Sequence, residues 1–142
     1  MKNKITIAIT AVALIIGITF GKGIVQLMFA KSDQPPIREV LAYASNKLNA
    51  TLPMQVDQDT RLDSTIAGPG AVFTYMYTLV NYTGSEYSSV DFINTMKPRL
   101  INGYKTNPEM AVYRKGEVAL HYYYRDKNGS EVAKIIITPK DF

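Results

Sequence analysis

Arg61-Leu-Asp-Ser-Thr-Ile-Ala-Gly-Pro-Gly-Ala-Val-Phe-Thr-Tyr-Met-Tyr-Thr-Leu-Val80 is the stretch on which the fold turns. Val72 to Val80 is dense in strand formers. Gly68-Pro69-Gly70 is turn punctuation. Together they predict a β-hairpin in which a three-residue loop pairs Ala67 with Ala71, and hence Thr65 with Phe73, Asp63 with Tyr75 and Arg61 with Tyr77. Side chains alternate along a strand, so the faces can be sorted. Leu62, Ile66, Val72, Met76 and Val80 share one face with Ser64, Thr74 and Thr78. Arg61, Asp63, Thr65, Phe73, Tyr75, Tyr77 and Leu79 share the other. The first set is expected to face the core.

A second hairpin follows near the C-terminus. Glu117 to Arg125 and Ser130 to Thr138 read as strands on either side of Asp126-Lys-Asn-Gly129, and Asn-Gly between β-rich runs is a strong hairpin signal. Val118, Leu120, Tyr122 and Tyr124 fall on one face with Ala133, Ile135 and Ile137, and are expected to be core. Ala119, His121, Tyr123 and Arg125 fall on the other with Val132, Lys134 and Ile136.

One helix precedes each hairpin. Ile37, Val40, Leu41, Ala44 and Leu48 recur at helical spacing, predicting a helix from about Pro36 to Ala50 packed on the sheet. Pro53 to Asp59 reads as a short extended segment. Ser88-Ser-Val-Asp91 resembles a capping box opening a helix with Phe92, Ile93, Met96, Leu100 and Ile101 on one stripe. Pro98 is expected to kink or split it. Asn107-Pro-Glu-Met110 predicts a turn into a short helical turn, with proline at its first position. The order α-β-β-α-β-β implies an α+β domain over residues 37–142. Its expected form is an antiparallel sheet of about four strands with two helices on one face.

The N-terminus is different in kind. Lys2 and Lys4 precede an apolar run from Ile5 to Phe20, then Gly-Lys-Gly, then Ile24 to Ala30. A membrane core needs ~20 mainly apolar residues as helix. Residues 1–31 therefore read as an uncleaved signal-anchor or transmembrane helix in contact with membrane lipid. Residues 32–36 read as a linker stiffened by paired prolines. A cleaved signal peptide and a periplasmic product is the alternative, but the best cleavage site, Met28-Phe-Ala30, has a large residue where a small one belongs. The flanking lysines favour the N-terminus in the cytoplasm and the domain in the periplasm, single-pass in a bacterial inner membrane.

The formal charge is +4, from sixteen Lys and Arg against twelve Asp and Glu. Lys2, Lys4, Lys22 and Lys31 belong to the N-terminal segment, so the domain itself is electroneutral. It lacks the footprint of a nucleic-acid binder. With no cysteine, disulfides and thiolate chemistry are excluded.

Catalytic readings are weak. His121 is the only histidine. Ser64 and Asp63 would complete a triad, but no Gly-x-Ser-x-Gly elbow exists and alternation puts the two on opposite faces. Asp57, Asp59 and Asp63 have the spacing of part of a calcium loop without its glycine and distal glutamate. No cofactor or metal site is expected. The face expected to be open gathers Arg61, Asp63, Tyr75, Tyr77, His121, Tyr123 and Arg125. Tyrosine and arginine anchor interfaces when desolvated.

Asp59-Thr-Arg-Leu-Asp-Ser-Thr-Ile-Ala-Gly-Pro-Gly70, with Phe73-Thr-Tyr75 and Tyr77-Thr-Leu79, resembles a group of small uncharacterised bacterial proteins, exported or single-span. The end of the chain, Ile137-Thr-Pro-Lys-Asp-Phe142, does so too. The resemblance implies an envelope location and no particular activity. Several members carry cysteines near the position of Lys105 and at the last residue. Lys105 and Phe142 stand there in this chain, so the bridge that the resemblance implies is missing. The expected function is that of a non-catalytic, membrane-anchored interaction module or accessory subunit with a protein partner in the envelope. The alternatives are an inhibitor or immunity-type protein against an incoming hydrolase, and a cell-wall-acting enzyme.

Overall fold

The computed structural model describes residues 35–83 and 88–142. The expected anchor and most of the expected linker lie outside those residues. Among the described residues, no helix is long and apolar enough to cross a membrane. The chain runs α1 (Ile37–Asn49), β1 (Met54–Gln55), β2 (Thr60–Ala67), β3 (Val72–Leu79), α2 (Ser89–Thr106), a 3-10 turn (Pro108–Met110), α3 (Ala111–Lys115), β4 (Ala119–Asp126), β5 (Glu131–Ile137) and a closing 3-10 turn (Pro139–Asp141). The fold is α+β, built on one five-stranded sheet ordered β1-β2-β3-β4-β5.

The helices form where the apolar spacing predicts. α1 buries Val40, Leu41, Ala44, Ser45 and Leu48 and packs on β2. Its last residue does more than end it. β1 pairs only with Arg61 and Leu62, so that among the described residues no strand covers the edge of β2 at Thr65. The side-chain amide of Asn49 takes that place. Its Nδ2 donates to the Thr65 carbonyl at 3.0 Å, and its Oδ1 accepts the Thr65 N–H at 2.8 Å. A bare edge is thereby closed by a side chain standing in for a peptide group.

In α2 the Ser88 hydroxyl accepts the Asp91 N–H at 3.5 Å, the expected cap. Of the two outcomes expected at Pro98, a kink or a split, the split does not occur. Proline removes the donor to the carbonyl of Asn94. Asn94 and Pro98 both face solvent, so water can serve that carbonyl. Asn107 then accepts the Glu109 N–H at 3.0 Å and opens the 3-10 turn at Pro108, as the spacing predicts.

The sheet departs from the expected all-antiparallel arrangement. β1 joins as a short edge strand, and β3 pairs with β4 in parallel, Val72 opposite Ala119 through Leu79 opposite Asp126. The reason is length. α2 has 18 residues, about 27 Å at 1.5 Å each. β3 has 8 residues, about 26 Å. A helix as long as the strand returns the chain to the end where β3 began, and the next strand must then run parallel.

The face assignment of the first hairpin is also reversed from Ser64 to Leu79, while Leu62 is core and Arg61 and Asp63 lie on the open side, as expected. Phe73, Tyr75, Tyr77 and Leu79 are core, each no more than 1% exposed. Ile66, Val72 and Met76, expected inside, lie on the other side, and Ile66 is 51% exposed. Alternation sorted the β3 residues correctly but did not say which set meets the helices. Volume decides it. In the parallel register Tyr77 falls opposite Tyr124, the rings stack with centroids 5.1 Å apart, and Phe92 of α2 sets its edge on Tyr124 at 4.8 Å. Both helices cover this aromatic layer.

A bulge between Leu62 and Ser64 separates the part that held from the part that reversed. Asp63 is the extra residue, so Leu62 joins the core while Asp63 and Ser64 both face outward. A second bulge, between Tyr124 and Arg125, turns Val132 inward, where it is buried. The second hairpin otherwise buries the set expected to be core.

Candidate functional site

The helices leave the other side of the sheet uncovered by described residues, and three rows of side chains cross it. Ile66, Thr74, His121 and Ile136 form the first, and Ser64, Met76, Tyr123 and Lys134 the second. Arg61, Thr78, Arg125 and Glu131 form the third. The rows are graded. The first is flanked by two exposed isoleucines, Ile66 and Ile136. The third is charged. A cavity of about 450 Å³ follows the β3–β4 seam, floored by Thr74 and Met76, walled by Ile66, Pro69 and Tyr123, and reached at one end by Arg125. Gly68 and Gly70 have φ of 81° and 70°, a backbone that suits glycine and holds Pro69 against the cavity.

Electrostatics follow the same grading. The Asp63 carboxylate accepts from the Arg61 guanidinium and from the Thr78 hydroxyl, so Arg61 is neutralised on the spot. The Arg125 side chain is exposed and forms no ion pair or hydrogen bond among the described residues. Glu131 lies opposite it but makes no ion pair with it. The Lys134 ammonium sits 4.9 Å above the Tyr123 ring, a cation–π contact. Burial, and then the charge of Lys134, push the His121 imidazole below its usual value and favour its neutral form.

Of the seven residues expected to share the open face, Arg61, Asp63, His121, Tyr123 and Arg125 do so. Tyr75 and Tyr77 do not: both are sealed under the helices. Ile66, Val72, Thr74 and Met76 take their place. The missed signal was the matching aromatic face of β4, since aromatic residues on neighbouring strands favour a shared side.

Catalytic arrangements fare poorly. The bulge does bring Ser64 and Asp63 to one face, against expectation. His121, however, lies level with Thr74 and Asp63 level with Thr78, a separation of about 13 Å along the strands. No proton relay spans that gap. The three aspartates serve separate structural ends. Asp57 accepts the N–H groups of Asp59 and Thr60 at 2.7 Å, Asp59 holds Asn81 at 2.8 Å, and Asp63 is engaged as described. No metal-holding group of three or more His, Cys, Asp or Glu is found among the described residues. The acidic cleft required of a cell-wall enzyme is not formed by these three carboxylates.

Three solved structures share the fold. PA3611 of Pseudomonas aeruginosa, a candidate secreted protein, superposes with a TM-score of 0.60 at 12% identity, covering 71% of this chain and 88% of its own. The type II secretion system pilotin AspS from Vibrio cholerae gives 0.56 at 10% identity, covering 75% and 92%. The type 2 secretion system pilotin EpsS from Vibrio vulnificus gives 0.57 at 11%, covering 73% and 89%. No curated protein matches in sequence. A family model described as a domain of unknown function (DUF8479) matches residues 37–133.

Proposed function

The chain belongs to the DUF8479 family, and we propose that it is a non-catalytic accessory protein of the bacterial envelope, binding another envelope protein through the open face of its sheet. Residues 1–31 would tether it to the inner membrane, with the domain in the periplasm. The observation that carries this reading is the open face itself. One side of the sheet is packed by helices. The other presents Ile66 and Ile136 to solvent, with a cavity beside Ile66 that ends in an arginine unpaired among the described residues. Apolar area rimmed by polar residues is the usual mark of a contact surface. Two supports come from elsewhere. The apolar run from Ile5 to Ala30 suits a tether. Pilotins of type II secretion systems also give this fold a precedent in an envelope apparatus.

The test is co-purification of the tagged full chain from detergent-solubilised membranes of the cells that make it. A specific partner should be lost when Tyr123→Ala and Arg125→Ala are combined and retained in Tyr43→Ala, which alters the exposed side of α1. Equal retention in both would remove the open face from the account. Recovery of the mature chain as a shortened soluble protein would remove the tether.

A further inference from the structure

The geometry points to the chemistry of the partner: an acidic, apolar protein segment lying along the β3–β4 seam, with a large apolar side chain near Pro69 and a carboxylate on Arg125. The inference rests on the open-face reading and deepens it. The cavity has two unlike ends. At the hairpin end its surface is Ile66, Pro69 and Val72, with Ile66 half exposed. At the other end it is Arg125, whose guanidinium carries five donors and no acceptor of its own. None of those donors meets a protein acceptor among the described residues. The remaining charge on the face reinforces the sign. Asp63 is consumed by Arg61 and Thr78, and Lys134 adds a second cation beside Tyr123. Glu131, the carboxylate opposite Arg125, stays exposed and makes no ion pair with it. An occupant with a carboxylate gains a charge-assisted contact there, and a basic one is repelled.

The spacing sets the occupant's length. From the level of Val72 to that of Thr78, which lies opposite Arg125, is about 20 Å at strand rise. An extended segment of about six residues spans it. The apolar anchor and the carboxylate belong at opposite ends of that segment.

The test uses the full chain in non-ionic detergent with three dye-labelled peptides of equal length: leucine–glutamate, leucine–lysine and serine–glutamate. Binding is read by anisotropy and located by the NMR signals of the Met76 methyl and the His121 ring. The leucine–glutamate peptide should bind and move both signals. Arg125→Glu should weaken it about tenfold or more and admit the leucine–lysine peptide. Lys134→Glu, also at an exposed position, should shift affinity in the same direction and guards against a folding defect in the first variant. The inference is overturned if no peptide binds, if all three bind alike, or if neither charge variant changes affinity. It is also overturned if the same signals move instead with phosphatidylglycerol nanodiscs, or on concentrating the protein alone. A partner lost on combining Tyr123→Ala and Arg125→Ala, together with peptide binding indifferent to charge, would leave the open-face reading standing and remove only this inference.

Discussion

Tyr75 stacks on Tyr122 across the β3–β4 seam, with ring centroids 5.1 Å apart and planes 15° from parallel. The two residues sit opposite one another in the parallel register, so the stack and the strand pairing support each other. Offset aromatic pairs add about 0.5–1.5 kcal/mol beyond their burial. Tyr122→Ala should therefore destabilise the domain by about 3–5 kcal/mol, the usual cost of emptying a large buried aromatic site. Tyr123→Ala, one residue on and facing outward, should cost about 1 kcal/mol or less. Urea unfolding of the two variants checks the contrast, and similar costs would contradict the assignment of the faces.

The buried tyrosine hydroxyls differ in how they are satisfied. The Tyr104 hydroxyl donates to the Val118 carbonyl at 2.7 Å, tying α2 to the chain entering β4. The Tyr77 hydroxyl is buried without a hydrogen-bond partner among the described residues. Tyr104→Phe should cost about 1 kcal/mol, because it strands a carbonyl. Tyr77→Phe should be neutral or mildly stabilising, because it removes a polar group that gains nothing from burial. Paired denaturation midpoints decide it. A larger loss in Tyr77→Phe would show that its hydroxyl is served after all.

Asn49 closes the edge of β2 through two hydrogen bonds to Thr65. Asn49→Ala leaves the N–H without its acceptor, whereas the carbonyl keeps the Ser45 hydroxyl at 3.1 Å. The expected loss is about 1–3 kcal/mol, with faster amide exchange at Thr65 than at Tyr122, which lies on β4 between two neighbouring strands. Unchanged exchange at Thr65 would mean that the side chain does not protect that edge.

His121 supplies a pH signature for the open face. Burial and the Lys134 charge hold its folded value below the usual 6.5, while unfolding restores the ordinary value. Between the two values the unfolded chain binds more protons, so stability falls as pH drops through that window and is unaffected above it. Lys134→Gln should raise the His121 midpoint seen by NMR only in part, since burial remains. His121→Asn should flatten the pH dependence of the urea midpoint. A wild-type midpoint at or above 6.5, or one indifferent to Lys134→Gln, would contradict this.

Much of this fold is readable from local patterns. The apolar spacing of α1 and α2, the Ser88 and Asn107 caps, and the Asn128-Gly129 turn all appear where expected. So do the faces of β4 and the burial of Ile135 and Ile137. What escapes is non-local. Alternation divides Val72–Leu79 into two sets, but only the match between Tyr75 and Tyr77 and the rings of β4 says which set is buried. A single inserted residue, Asp63, exchanges the sides of Arg61 and Leu62, and no periodicity announces it. The candidate face was legible for Arg61, Asp63, His121, Tyr123 and Arg125. It failed for Tyr75 and Tyr77, because tyrosine suits an interface and an interior equally well.

The most direct measurement is site-specific photo-cross-linking in living cells, with the probe placed at Tyr123 on the open face or at Tyr43, which is 44% exposed on α1. The account predicts one discrete adduct from position 123 and none from position 43, with the adduct abolished by Arg125→Glu. Adducts from position 43 alone, or the same adduct from both positions, would contradict it.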